Sequence, residues 1–280
     1  MKILITGANG MLAKAVIDEF KLNNELVLTD VKELDITDQE AVIKFIEKVK
    51  PNLVVNCAAY TAVDAAENNL ELAEKINSEG PKNLAIASTK IGAVLAHIST
   101  DYVFDGNLNI QNSYSENNET FPVTAYGITK LHGEESVKDN CDKYYIFRTA
   151  WLYGDGKNFV KTMLNLGKEK ESINVVNDQH GSPTYSVDLA NIIRQVIEKK
   201  LPYGIYHSTN MEFTTWYDFT KEIFELANIN CTVKPVSSEQ FITVAKRPKN
   251  SQLSKEKLVS YGINIPSYHD ALKRYLKKEV

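Results

Sequence analysis

The 280-residue sequence predicts an α/β fold: a doubly wound parallel sheet, followed by a smaller mixed unit. Three observations predict it. Short apolar runs alternate with helix-length amphipathic runs from Lys2 to Arg148. The apolar runs are continuous rather than alternating, as in strands covered on both faces. The first of them passes directly into a glycine turn and a helix. The chain is long enough to bury a large core with a smaller companion. Its charged fraction of 24% and net charge of -4 give no global basic field for nucleic acid. The apolar run at Met1–Gly7 is too short for a signal peptide, and no stretch approaches the roughly 20 apolar residues of a membrane span, so a cytoplasmic protein is expected. Cys57, Cys141 and Cys231 lack metal or redox spacing and read as reduced thiols. His97, His132, His180, His207 and His269 lack metal-ligand pairing, so no metal is assigned.

In order, Lys2–Thr6 reads as a strand that enters Gly7-Ala8-Asn9-Gly10-Met11-Leu12-Ala13, with a helix over 14–21. Glycines at 7 and 10 allow a tight bend and a close approach of backbone to ligand, and the free amides at a helix start favour a pyrophosphate. Gly7, Asn9, Gly10, Met11 and Leu12 are therefore candidate cofactor contacts, although such a turn also serves as a plain connection. A second strand, 26–29, ends at Asp30, about 20 residues beyond the turn, where an acid binds an adenosine ribose. Asp30 favours NAD, while nearby Lys32 could serve a 2′-phosphate, so both NADH and NADPH stay open. Asp35 and Ile36 could lie against an adenine, or Asp35 could be a simple loop acid. Thr37-Asp38-Gln39-Glu40 reads as a capping box opening a helix to Lys50.

Pro51 ends that helix and 53–56 forms a third strand. Small residues at its exit, Cys57-Ala58-Ala59-Tyr60, would let a cofactor lie against the backbone. Residues 64–91 read as two helical pieces broken at Gly80-Pro81, and 93–98 as a fourth strand with Ser99, Thr100 and Asp101 beyond its end. Residues 101–124 read as a polar surface loop, 125–138 as a helix and 144–148 as a fifth strand. Gly7, Ala58 and Thr100 then fall just past strand ends, where open parallel sheets bind ligands. Less regular are a helix over 158–168, a strand over 173–176, a polar turn over 178–184, a helix over 187–199 and a strand over 204–207. Helices follow over 215–227, 255–260 and 268–278, flanking the basic loop Ala245–Ser251. That loop could hold a diphosphate or simply be solvated. The expected division is a dinucleotide-binding, Rossmann-like domain over 1–150, with segments near 176–210 returning to it. The second domain takes 151–175 and 211–280.

Residues four apart on a helix share a face, so Lys130 can approach the Tyr126 oxygen and favour its ionised form. The spacing recurs at Tyr153/Lys157, where two glycines argue for a turn, and at Tyr217/Lys221, far from any phosphate signal. Only Tyr126 follows a buried-looking strand with hydroxyls and an acid at its end. Thr100 is accordingly a candidate catalytic hydroxyl.

Gly7-x-x-Gly10-x-x-Ala13 together with Tyr126-x-x-x-Lys130 resembles the extended short-chain dehydrogenase/reductases. More narrowly, Asn56–Asp64, Ser99–Gly106, Arg148–Tyr153, Asp178–Thr184 and Arg247–Ser251 resemble the dTDP-4-dehydrorhamnose reductase family over nearly the whole chain. The resemblance implies reduction of the 4-keto group of a dTDP-4-keto sugar, dTDP-4-dehydro-L-rhamnose, by NADPH or NADH. It implies Tyr126 as proton donor, Thr100 on the carbonyl oxygen, and Lys130 on the nicotinamide ribose, lowering the Tyr126 pKa. It also implies Asp101, Tyr102 and Trp151 in the sugar pocket and Arg247 in a late substrate loop. Some members are magnesium-bridged dimers using an acid in the first helix. Lys14 stands at that place, which argues against magnesium and leaves a monomer or weak homodimer as the expectation. Two alternatives stay open: a reductase or epimerase of another nucleotide sugar, and a regulatory subunit like that of methionine adenosyltransferase.

Overall fold

The computed structural model describes residues 1–279. The first half runs β1 (Lys2–Thr6), α1 (Met11–Phe20), β2 (Glu25–Thr29), α2 (Gln39–Val49), β3 (Leu53–Asn56), α3 (Val63–Ala66), α4 (Leu70–Glu74), α5 (Gly80–Ile91), β4 (Val94–Thr100), α6 (Ala125–Asn140) and β5 (Tyr144–Thr149). The second runs β6 (Leu152–Tyr153), α7 (Phe159–Glu169), β7 (Ser172–Val176), β8 (His180–Gly181), β9 (Thr184–Tyr185), α8 (Ser186–Glu198), β10 (Gly204–His207), β11 (Thr214–Thr215), α9 (Trp216–Leu226), β12 (Thr232–Val236), β13 (Asn250–Ser251), α10 (Glu256–Ser260) and α11 (Tyr268–Glu279).

Six parallel strands form the main sheet in the order β10-β5-β4-β3-β1-β2. The order reverses direction between β1 and β3, which makes their carboxyl ends the topological switch point where such sheets bind ligands. Strand alternation divides the apolar side chains between two faces. Ile3, Ile5, Leu53, Val55 and Phe147 meet α1 and α8 on one side, and Leu4, Val54, Leu95 and Ile146 meet α2, α5 and α6 on the other. A second core gathers Tyr153, Met163, Ile173, Tyr185, Phe219, Ile223, Leu272 and Tyr275 between α7, α9, α11 and the β7–β12 pair. Leu258, Ile263 and Ile265, expected in the second unit, pack into the α1–α8 side of the first core.

Several local expectations are corrected. α2 is capped by Asp38, which accepts from the Ala41 amide at 3.0 Å, because Thr37 is already engaged with Asp35; no capping box forms at Thr37. Gly80-Pro81 does not break the helix. One π turn over Lys75–Glu79 absorbs the N–H missing at Pro81, and the chain continues into α5. β4 includes Ser99 and Thr100 rather than stopping short of them. The 101–124 segment is no surface loop throughout: Asp101, Val103, Phe104, Tyr114 and Thr124 are buried, and Phe104 stacks on Tyr114. The 178–184 segment is likewise buried at Gln179, Ser182 and Thr184, its polarity met by short strands and by hydrogen bonds such as Ser182 to the Glu212 carbonyl.

α6 approaches the π turn so closely that a Cβ on Gly133 would overlap the Asn77 carbonyl oxygen. Gly133→Ala is expected to destabilise the protein by about 1 to 3 kcal/mol despite the better helix propensity of alanine. A thermal melt should show Tm lowered by several degrees; an unchanged Tm would contradict this packing.

Candidate active site

At the switch point β1 ends at Thr6 and the chain turns at Gly7, whose φ of +64° suits glycine. A Cβ there would sit 2.8 Å from the Ala58 backbone beyond β3, so only hydrogen leaves this floor open. α1 starts at Gly10 without a side-chain cap, leaving its first amides available. Beside them lies a crevice of about 430 Å³ lined by Gly7, Gly10, Asp30, Asp35, Ile36, Ala58 and Ala59 among others. Open amides, a glycine floor and a ribose-level acid fit a dinucleotide. Asp30 accepts from the Asn9 amide at 3.1 Å and from Val31 at 2.8 Å. Asp35 turns back on its own loop, accepting from the Thr37 amide and hydroxyl at 2.9 and 2.8 Å.

The remaining candidates lie elsewhere. Leu12 is buried in the core under α1. Met11 lines a smaller hollow with Lys14, Asp155 and Ser186, where Lys14 pairs with Asp155 at 2.9 Å. Tyr60 is held by buried Asn77, which accepts from its amide at 2.8 Å and donates to its carbonyl at 3.1 Å. Its ring packs with Tyr126, Ala66, Ala73 and Ala125. Cys57, in the small-residue exit named from sequence, lines the crevice as well, and so do Val31, Thr37, Leu72, Lys75 and Ile76, which were not singled out as ligand contacts. Leu72 stands out only in the structure, as an apolar residue left half exposed on α4.

Thr124 caps α6, accepting from the Gly127 amide at 3.0 Å, and so starts the helix one residue before Tyr126. The Tyr126 phenol hydrogen-bonds with Thr100 at the end of β4, and its ring meets Tyr102 edge-on at 5.5 Å. Burial pushes the phenol above its ordinary range. Asp101 and Tyr102 add to this, and the Thr100 hydrogen bond opposes it. This differs from the expectation that Lys130 would draw the phenol down: the Lys130 ammonium donates to the Ile98 carbonyl at 2.6 Å instead. Lys130 is itself buried, and desolvation lowers its pKa to about 8, with Glu134 and Cys57 acting the other way.

Thr100 Oγ1 donates to Asp101 Oδ1 at 3.0 Å, whereas Asp101 Oδ2 is buried without a hydrogen-bond partner. Burial raises the Asp101 carboxyl to about 6, against hydrogen bonds from Ser251 and Thr100. On the far side of Tyr102 lies an apolar pocket of about 410 Å³, lined by Tyr102, Trp151, Phe159, Met163, Trp216, Gln179, Arg247 and Ser251 among others. Trp151 has a φ of +49°, held by stacking on Trp216 at 3.5 Å and by Gly181 against its indole. Arg247 forks between Asp64 at 2.5 Å and the Tyr102 hydroxyl at 3.0 Å. With Lys246 and Lys249 it also borders a hollow of about 520 Å³ that contains Asp105 and Glu239. Tyr126 itself lines neither hollow; its ring meets Tyr102 of the aromatic pocket and packs with Tyr60, which follows Ala58 and Ala59 of the crevice.

Beneath the site lies a polar cluster that the sequence reading did not find. Glu134, fully buried, is gripped by Arg148 through Nε at 2.8 Å and Nη2 at 2.7 Å, and it accepts from Ser99 at 2.5 Å. Arg148 Nη1 lies 3.5 Å from His207 Nε2, and His207 Nδ1 donates to the Tyr114 carbonyl at 3.0 Å. The signal was the spacing of Tyr126, Lys130 and Glu134, one turn apart on one face.

Fold and site together define the short-chain dehydrogenase/reductase class, with its doubly wound sheet and Tyr-x-x-x-Lys pair. A model described as RmlD substrate binding domain matches residues 1–280. The chain belongs to the dTDP-4-dehydrorhamnose reductase family. It is 39% identical over 290 residues to the dTDP-4-dehydrorhamnose reductase of Aggregatibacter actinomycetemcomitans, covering 97% of each chain. A solved dTDP-4-dehydrorhamnose reductase from Clostridium acetobutylicum superposes with a TM-score of 0.96 at 50% identity, covering 99% of both chains. The Bacillus anthracis structure, in complex with NADP, gives 0.95 at 43% identity and the same coverage. Among the described residues, no helix is long and apolar enough to cross a membrane.

The raised carboxyl of Asp101 has a signed consequence for stability. Unfolded, it ionises near 3.8; folded, near 6, so the native state binds the extra proton between these values. Its favourable contribution is greatest at low pH and is lost as pH rises from about 4 to 6. Asp101→Asn should therefore be stabilised relative to wild type at pH 8, on the order of 2 to 3 kcal/mol. That gain should shrink toward pH 4 in urea unfolding, and a pH-independent difference would contradict the assignment.

Proposed function

We propose that this chain reduces the 4-keto group of dTDP-4-dehydro-L-rhamnose to give dTDP-L-rhamnose. The observation that carries the reading is the meeting of Tyr126 and Thr100 at the carboxyl end of β4, with Tyr126 packed against Tyr102 of the aromatic pocket and Tyr60 beside the crevice. Bound NADPH or NADH would supply a hydride. Gly7, Gly10 and the first amides of α1 would hold the pyrophosphate, Asp30 the adenosine ribose, and Ala58 and Ala59 the flat face of the dinucleotide. Lys130 would hold the nicotinamide ribose from its place beside Cys57 and the Ile98 carbonyl.

In the aromatic pocket, Trp151 and Tyr102 offer surfaces to the sugar nucleotide, and Asp101, buried beside Tyr102 and Ser251 of that pocket, would take a sugar hydroxyl on its unpaired Oδ2. Arg247 can meet the diphosphate by giving up part of its fork on Asp64. Thr100 would bond the carbonyl oxygen while Tyr126 gives that oxygen its proton. A phenol held above its ordinary range keeps its proton at neutral pH, the state a general acid needs. The names of the relatives support the substrate, and the NADP in the Bacillus anthracis structure supports the cofactor.

The direct assay follows loss of NADPH absorbance on adding the dTDP-4-keto sugar, with product analysis against a panel of other keto sugars. Tyr126→Phe should lower kcat by about 10²-fold or more and leave cofactor affinity within a few-fold of wild type. A near-normal rate would remove Tyr126 from the role of acid. Asp30→Ala should raise the ratio of NADPH to NADH catalytic efficiencies by relieving repulsion of the 2′-phosphate; an unchanged ratio would count against the ribose role.

A further inference from the structure

Tyr126, Lys130 and Glu134 fall on one face of α6, and that face is polar yet buried: Lys130 is 2% exposed and Glu134 0%. A buried ammonium loses its hydration, and its proton is held only by what surrounds it. Its direct partner, the Ile98 carbonyl, is a dipole and carries no net charge. Cys57 faces it from the exit of β3 and His97 from β4; both lie beside the Lys130 charge, and burial keeps each in its neutral form. Among the described residues, the carboxylate whose charge favours the ammonium is Glu134, one helical turn on. Glu134 in turn faces Ser99 on β4, Arg148 and Tyr144 on β5, and, behind Arg148, the neutral imidazole of His207 on β10.

We propose that Glu134 is a positioning residue for Lys130: clamped between Ser99 and Arg148, its carboxylate keeps the Lys130 ammonium charged and fixed at the sheet edge. Arg148 reaches Glu134 from β5, and the charge that acts on Lys130 from the shared helix face is Glu134 rather than Arg148. Ser99 precedes Thr100, and Arg148 begins the segment that leads to Trp151. The same carboxylate thus sets the registry of the three elements that bring Thr100, Tyr126 and Trp151 together. Its consequence for turnover rests on the reductase reading above; its effect on Lys130 does not.

The test compares wild type, Glu134→Gln, Glu134→Asp and the double variant Glu134→Gln/Arg148→Met. Breaking a buried pair on one side is costly, whereas replacing both partners with neutral groups of similar size is often tolerated, so the double variant keeps the comparison open if the single one does not fold. The first readout is the titration of Lys130 in Cε-labelled protein by NMR, assigned with Lys130→Arg. Its midpoint should fall in Glu134→Gln and in the double variant, and return toward wild type in Glu134→Asp. An unchanged midpoint in folded Glu134→Gln or in the folded double variant overturns the proposal. The second readout is kcat/KM for the keto sugar against pH: the alkaline limb should move to lower pH, so that at pH 8.5 Glu134→Gln retains roughly a tenth of wild-type efficiency while the loss is small at pH 6. A uniform loss at every pH would mark a merely structural brace and overturn the proposal. Wild-type protein that binds NADPH but leaves the keto sugar unreduced would sink the function above, and the Lys130 midpoint would still decide this one.

Discussion

A carboxylate with no access to water sits at the centre of this molecule, and the geometry above it depends on how that charge is held. Glu134 receives the fork of Arg148 and the hydroxyl of Ser99, so α6, β4 and β5 meet at one point. Removing one partner of such a pair costs about 3 to 5 kcal/mol because the other is left charged and dry. The cluster extends through His207 to Tyr114, so β10 and the long 101–124 connection are bound into the same arrangement. This is why that connection, rich in asparagine and polar residues, is not free on the surface.

Above the cluster the parallel sheet does the rest. Its order changes direction between β1 and β3, so the two chain exits diverge and leave a gap that no side chain fills. Gly7 and Ala58 form the floor of the gap because their backbones nearly touch. The aromatic pocket is built differently, from the second core, with Trp151 in a left-handed backbone conformation stacked on Trp216. Tyr126 lines neither hollow, its ring lying against Tyr102 and Tyr60, and in the proposed function it acts where cofactor and sugar meet.

Strand positions in the first half were legible because buried parallel strands are uninterrupted apolar runs, as at Leu53–Asn56 and Lys2–Thr6. The glycine turn and the Tyr126/Lys130 spacing were legible for the same reason: local geometry demands those residue types. Buried polarity was not. Arg148, Glu134, Ser182 and Thr184 look like surface residues in sequence, and their burial follows from partners far along the chain. The two-residue strands β8, β11 and β13 carry no periodicity at all and exist only through pairing. The direction of the Tyr126 pKa was also beyond sequence, because spacing brings Lys130 onto the same face but cannot show that its ammonium points at the Ile98 carbonyl.

In this account the crevice and the aromatic pocket bring a nicotinamide ring and a sugar carbonyl together beside Tyr126. The most direct measurement is transfer of label from cofactor dideuterated at nicotinamide C4, so that either face delivers deuterium, read by mass spectrometry and NMR of the nucleotide-sugar product. One deuterium is expected, bonded to C4 of the sugar, with the hydroxyl proton drawn from exchangeable sites. Product that carries no label, or carries it at another carbon, would contradict it.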